Sequence, residues 1–272
     1  MDKIKRILTT VIGLPIVVLA LSYSNKYIID VIMTVVAILS MHEYINCTKE
    51  KNVNVIRWIS YLSTLFIAFI HVIPSDFLRY GYCIIPILLS VLFAHIIITD
   101  MKITLEDIAY TFLGICYIVG FIVAFALIYG YEGSISGKIF IWFVIVTSWG
   151  TDMFAYMVGM RFGKTKFTHV SPNKSLQGCV GGTIAAVLLS VILSVVCNRF
   201  FGTNLSLVVM GIVGCVLSIM GQLGDLSASA IKRYFGVKDF SSLFPGHGGM
   251  LDRIDSVMFI APVALLFLNV LF

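Results

Sequence analysis

Charge is what this sequence has least of. Asp, Glu, Lys and Arg make up 12% of its 272 residues, hydrophobic residues make up 59%, and the mean hydropathy is +1.01. Soluble domains carry about 25% charged residues, so a soluble globular domain is excluded, and a disordered chain with it. The net charge of +5 is small. It provides no basic stripe interleaved with aromatics, and nothing marks nucleic-acid binding. Cysteine is sparse and unpaired in pattern. Cys47, Cys83, Cys116, Cys179, Cys197 and Cys215 form no CxxC and sit in or beside apolar runs. That argues against a disulfide framework or zinc site; the cysteines read as small buried hydrophobes. No long repeat, low-complexity tract or soluble domain breaks the chain. What remains is an all-α, polytopic integral membrane protein.

Crossing a hydrocarbon core takes about 20 apolar residues in a helix. Seven runs lack charge for at least 17 residues: 7–25, 58–75, 81–99, 108–131, 175–198, 200–224 and 256–272. An eighth, 139–160, is broken only by Asp152. A ninth, 27–45, carries Asp30 and Glu43 near its ends, which reads as a span with carboxylates at the two interfaces. The first run has a basic start resembling a signal peptide. Pro15 and the spans that follow favour a retained helix. Nine spans with a cytoplasmic N-terminus put 15 of the 19 lysines and arginines inside and four outside, as the positive-inside rule requires. Both polar loops, about 161–178 and 225–255, then face the cytoplasm. Residues 1–138 read as scaffold helices and 139–272 as the part carrying the site, in one continuous membrane domain. The setting expected is the cell membrane.

Acids at membrane depth are costly, at least about 2.5–3.5 kcal/mol near the bilayer centre. Asp152 and Asp225 are two of them. Each could be a strut paired with a basic residue; the functional alternative is a cation or phosphate site. If the helix of the eighth run continues inward, Asp225, Ser229, Lys232 and Arg233 share one face. The segment 238–255 then brings Pro245, Gly246, Gly248 and Gly249, which forbid a regular helix and let backbone N–H groups approach phosphate. His247 lies among them. Asp252 and Asp255 are three residues apart and can face one site, although a helix N-cap would account for one of them. Hard oxygen donors without cysteine point to magnesium rather than zinc, with a second cation left open. In the other loop, Ser171-Pro172-Asn173-Lys174 has the look of a phosphate or headgroup contact. Gly181 and Gly182 suit close helix packing. Metal-assisted transfer of a phosphate-containing group at a membrane lipid fits best; an ion-coupled transporter and a non-catalytic scaffold are the rivals.

The run Ser229-Ala-Ile-Lys232-Arg233, four residues, Lys238-Asp239, then Phe244-Pro245-Gly246-His247-Gly248-Gly249 and Asp252-Arg253-Ile254-Asp255 resembles the signature of phosphatidate cytidylyltransferases (CDP-diacylglycerol synthases). Gly221-Gln222-Leu223-Gly224-Asp225 and Ser171-Pro172-x-Lys174 resemble further motifs of that family. The resemblance implies an all-helical, homodimeric membrane enzyme that converts CTP and phosphatidic acid to CDP-diacylglycerol and pyrophosphate with magnesium. It implies Asp225, Asp252 and Asp255 as metal positions. It puts Lys232, Arg233, Lys238, His247 and Arg253 on phosphates or on the loop, and Ser171, Lys174, Ser229, Gly246, Gly248 and Gly249 around substrate. Asn173, Ser175 and Gln177 stand where the family commonly has Lys, Thr and Glu, and Ala228 stands where Glu is common.

Overall fold

The computed structural model describes residues 2–74, 80–133, 135–244, 246 and 248–272. Pro245 and His247 therefore lie outside the described residues. The described residues are predominantly helical. In chain order the elements are α1 (Asp2–Tyr23), α2 (Lys26–Thr48), α3 (Arg57–Leu65), α4 (Ile84–Ile98) and α5 (Leu105–Tyr129). They continue with α6 (Gly137–Phe162), α7 (Leu176–Phe200), α8 (Leu207–Phe235) and α9 (Leu251–Leu271). No β-sheet forms among the described residues, only isolated bridges. Among the described residues, α2, α4 together with the preceding Gly81–Cys83 turn, and α5 through α9 are long and apolar enough to cross a membrane, seven helices in all. This is a multi-pass α-helical membrane protein.

Of the nine expected spans, those of α1 and α3 are not among the seven, and α8 begins later than expected. α3 has nine residues and continues only as a four-residue 3₁₀ stretch, Phe66–Phe69. That falls short of the roughly 20 residues a crossing needs. The cause is local: Ser60, Ser63 and Thr64 donate their hydroxyls to the carbonyls of Ile56, Ser60 and Tyr61. Such back-bonding competes with the regular ladder and accompanies the tighter 3₁₀ winding. The eighth apolar run starts its helix late, at Leu207. Asn198 is the reason. Its Oδ1 accepts from Thr203 Oγ1 and Leu205 N, and its Nδ2 donates to the Leu205 carbonyl. These bonds hold 201–206 as a loop. α8 then runs on to Phe235, so Asp225 lies inside a helix rather than at its end. Gly236, at φ +78°, stops it in the left-handed conformation that a glycine C-cap requires.

The chain forms two compact units, one of residues 1–126 with 235–252 and the other of 127–234 with 253–272. In the first, α2 packs on α3, the 3₁₀ stretch and α5. Tyr44, fully buried, donates to the Tyr110 carbonyl at 3.0 Å and lies against Gly114, where a Cβ would have no room. Asp107 anchors the start of α5. Its Oδ2 accepts from Thr104 N and Oγ1 as half of a capping box, and its Oδ1 accepts from Asn54 N at 2.6 Å. Asp30, expected near an interface, is instead wholly buried and paired with His71 at 2.8 Å.

In the second unit α6 lies along α7. Glycines make this possible. A Cβ at Gly178 would stand 2.6 Å from the Ala155 carbonyl, and one at Gly182 would stand 2.7 Å from that of Thr151. Gly181 faces Val158 equally tightly. The expectation of close packing at Gly181 and Gly182 is met. Gly214 of α8 is likewise filled from within the chain, by Ser190. Hydroxyls stitch the same three helices: Thr151 donates to Ser218, Ser218 to Thr183, and Gln222 Nε2 to Thr183 Oγ1 and the Cys179 carbonyl. Helices in lipid gain nothing from excluding water between them, so small residues and interhelical hydrogen bonds carry this packing.

Candidate active site

The second unit concentrates charge where α6, α7, α8 and α9 approach. Gly224 brings α8 against α9, because a Cβ there would be 2.5 Å from the Asp255 carbonyl oxygen. That contact sets Asp225 beside Asp255. Asp152 of α6 joins them, and the three carboxylates lie within Coulombic reach of one another. Lys174, just before α7, forms an ion pair with Asp225 Oδ2. Arg253 and Lys174 lie within reach of Asp152, and Lys232 within reach of Asp255. Asp255 is buried, and its Oδ1 accepts from Ser256 N at 2.7 Å. Asp152 keeps an exposed side. Lys232 is buried in the last turn of α8, Arg233 beside it is exposed, and Ser229 is half-buried between them and Asp225. The face inferred from spacing therefore exists on one helix. Three acids set against three cations, at helix depth, form an arrangement suited to a polyanion with its counterion.

The segment carrying Lys174 is built as a compact turn. Lys174 N donates to the Ser171 carbonyl, Phe167 N to that of Lys174, and Leu176 N to that of Thr165. Ser175 caps α7 by accepting from Gly178 N. Gln177 latches the two sides. Its Oε1 accepts from Lys164 N and Thr165 N, while its Nε2 donates to Thr165 Oγ1 at 2.7 Å. So Gln177 serves the backbone of the loop. Ala228 is fully buried.

The first unit holds the other half of the signature. Lys238 is exposed after α8. Gly246 and Gly248 take φ near +80°, and Phe244 N donates to the Gly248 carbonyl across the turn. Positive φ is the reason these positions need glycine. Asp252, in the first turn of α9, accepts on Oδ2 from both Phe240 N and Gly249 N at 2.9 Å. The carboxylate expected as a metal ligand thus closes the glycine-rich loop, and the Gly249 N–H is spent on it. Asp255 follows one turn later on the same face of α9.

One residue central to this loop escaped the sequence. Glu43 of α2 accepts from Ser241 Oγ on Oε1 at 2.6 Å, from Met250 N on Oε1 at 2.8 Å and from Leu251 N on Oε2 at 2.8 Å. Its only sequence signal was a carboxylate at the end of the weakest apolar run.

Fold and site together define a multi-pass membrane protein with a charged, phosphate-compatible centre on its C-terminal helices. The chain belongs to the cytidylyltransferase family, which it matches over residues 4–271. It is 33% identical over 267 residues to the phosphatidate cytidylyltransferase of Staphylococcus saprophyticus, covering 95% of this chain and 96% of that one. The enzyme of the same name from Staphylococcus aureus is 32% identical over 261 residues, with the same shares covered. That from Thermotoga maritima is 34% identical over 184 residues, 67% of each chain.

Proposed function

We propose that this protein transfers CMP from CTP to phosphatidic acid, giving CDP-diacylglycerol and pyrophosphate. The observation that carries the reading is family membership over residues 4–271, joined to the cluster of Asp152, Asp225 and Asp255 with Lys174, Lys232 and Arg253.

A phosphate oxygen of phosphatidic acid attacks the α-phosphorus of CTP. The new P–O bond forms as the bond to the β-phosphate oxygen breaks, and pyrophosphate leaves with that electron pair. A phosphate monoester has a second pKa of about 6, so the attacking oxygen is already anionic and no protein nucleophile is required. The protein's work is positioning and charge neutralisation. Buried Lys232, half-buried Lys174 and exposed Arg233 and Arg253 supply cations, and Ser171 and Ser229 supply hydroxyls; the resemblance adds Lys238. Gly246 and Gly248 allow close backbone approach, and His247 falls within the same motif. The apolar helices leave the acyl chains in lipid while the headgroup meets these residues.

Among the described residues no three His, Cys, Asp or Glu side chains are gathered tightly enough to hold a metal ion. Magnesium, however, is usually held by one or two carboxylates together with substrate phosphates and water. Asp225 and Asp255, adjacent on α8 and α9, suit that mode, with Asp252 one turn earlier on α9 and a second cation as a further option. Bound there, magnesium would neutralise charge on the transferring and leaving oxygens. Lys174 already pairs with Asp225 Oδ2, so this carboxylate is open to a cationic partner.

The charge asymmetry of the loops supports a cytoplasmic N-terminus, a site on the cytoplasmic side and residence in the cell membrane. A homodimer follows from the resemblance, and cross-linking in native membranes tests it. The activity is tested with purified protein, phosphatidic acid, labelled CTP and magnesium. A labelled lipid that forms with phosphatidic acid, is absent with diacylglycerol and disappears with chelator is the expected result. Absence of any labelled lipid from folded protein overturns the reading.

A further inference from the structure

Glu43 is 4% exposed and lies near the end of a predominantly apolar helix. A buried carboxylate is expensive unless its lone pairs are filled. Here they are filled by one loop. Ser241 lies within the segment between α8 and α9, ten residues before Leu251, and Met250 and Leu251 stand where that segment enters α9. A single carboxylate therefore ties these two points together. The two N–H groups belong to the start of α9, where no intrahelical acceptor exists and where the helix dipole favours an anion. Gly249 completes the fit: a Cβ at that position would collide with both carboxylate oxygens of Glu43. Asp252 holds the same loop from its other side, through Phe240 N and Gly249 N. The loop is thus clamped between two acids, and one of them comes from a helix some 200 residues upstream.

We propose that Glu43 is a positioning residue of the transfer reaction, tying Ser241 to Met250 and Leu251 at the first turn of α9 and, through that turn, setting the placement of Asp252 and Asp255 along the helix. The inference rests on the function proposed above. Only an acceptor-only side chain serves three donors. Glutamine has the right shape but turns an N–H₂ toward a backbone N–H, so Glu43→Gln breaks the clamp without creating a cavity. Ser241→Ala removes one of the three bonds to Glu43, together with the bond that Ser241 Oγ accepts from Leu243 N, and leaves the buried charge in place.

The test uses the full-length protein in lipid nanodiscs, with steady-state kinetics, amide hydrogen exchange and thermal melting. Misplacing reacting groups by about 1 Å costs on the order of 100-fold in rate. Glu43→Gln is expected to lower kcat on that scale, with a smaller change in the KM for CTP, and to speed exchange selectively at Met250 and Leu251. Ser241→Ala is expected to lower kcat several-fold in the same direction. Wild-type kcat in Glu43→Gln overturns the proposal. If Glu43→Gln does not fold, Ser241→Ala decides: faster loop exchange with wild-type kcat overturns it, and a matched fall in kcat supports it. The two readings fail differently. A wild-type protein that makes no labelled lipid defeats the proposed function, whereas an active wild type whose kcat ignores the loop defeats only the role of Glu43.

Discussion

The two units use their acids for opposite ends. In the first, each described buried carboxylate is bonded by donors: Asp30 by His71, Asp107 by Asn54 and Thr104, Glu43 by Ser241, Met250 and Leu251, and Asp252 by Phe240 and Gly249. These acids tie backbone together. In the second, Asp152, Asp225 and Asp255 face one another, with lysine and arginine between them. Like charges held together weaken a fold unless something else is meant to sit among them. The contrast teaches that an acid in an apolar helix does not by itself mark chemistry. What marks it is whether neighbouring backbone uses up its oxygens.

That comparison breaks most visibly at the site. Asp255→Asn and Asp225→Asn are each expected to cut turnover by at least about 100-fold, the scale of losing a charge that stabilises the transition state. Melting temperatures should hold or rise, because one of three crowded negative charges is gone. A large drop in melting temperature with activity per folded molecule preserved would move these acids into the first class. Asp107→Ala should do the reverse. It removes a capping box and the acceptor for Asn54 N, at a cost of about 2–3 kcal/mol, and folded molecules should keep wild-type kcat. Gly182→Ala asks whether the second unit depends on backbone contact. A Cβ 2.7 Å from the Thr151 carbonyl should destabilise by about 1–3 kcal/mol, read as a lower melting temperature in micelles. The smallest effect is expected from Gln177→Glu. The carboxylate can still accept from Lys164 N and Thr165 N, and from the Thr165 hydroxyl, so kcat should stay within about threefold. A change beyond tenfold would show that position 177 contributes more than loop structure.

Much of this was legible in the sequence because membrane helices announce themselves by length without charge. Eight of the nine apolar runs became helices close to where they were expected, and the signature residues pointed to the family directly. The third run did not become one long helix, because hydropathy is blind to the hydroxyl back-bonds of Ser60, Ser63 and Thr64 that tighten it. The late start of α8 depended on one asparagine bonding seven residues ahead. Of the site, Asp225, Ser229, Lys232 and Arg233 could be aligned because a single helix fixes their spacing. Ser171 and Lys174 could be suspected, but the Lys174–Asp225 pair is a tertiary contact that no local pattern contains. Glu43 was hidden for the same reason. Its partners are distant in sequence, and a lone glutamate at the margin of an apolar run looks like an interface residue.

α8 is a 29-residue rod, about 44 Å at 1.5 Å per residue, and so longer than the hydrocarbon it crosses. Asp225 and Lys232 are separated along it by two turns, about 10 Å of rise. The helix therefore acts as a ruler, setting a carboxylate at one height and a pair of cations at another with little give between them. Inserting a single residue in that interval would swing the cations about 100° around the axis while leaving every side chain in place, so the gauge itself, apart from the groups it carries, is open to selection.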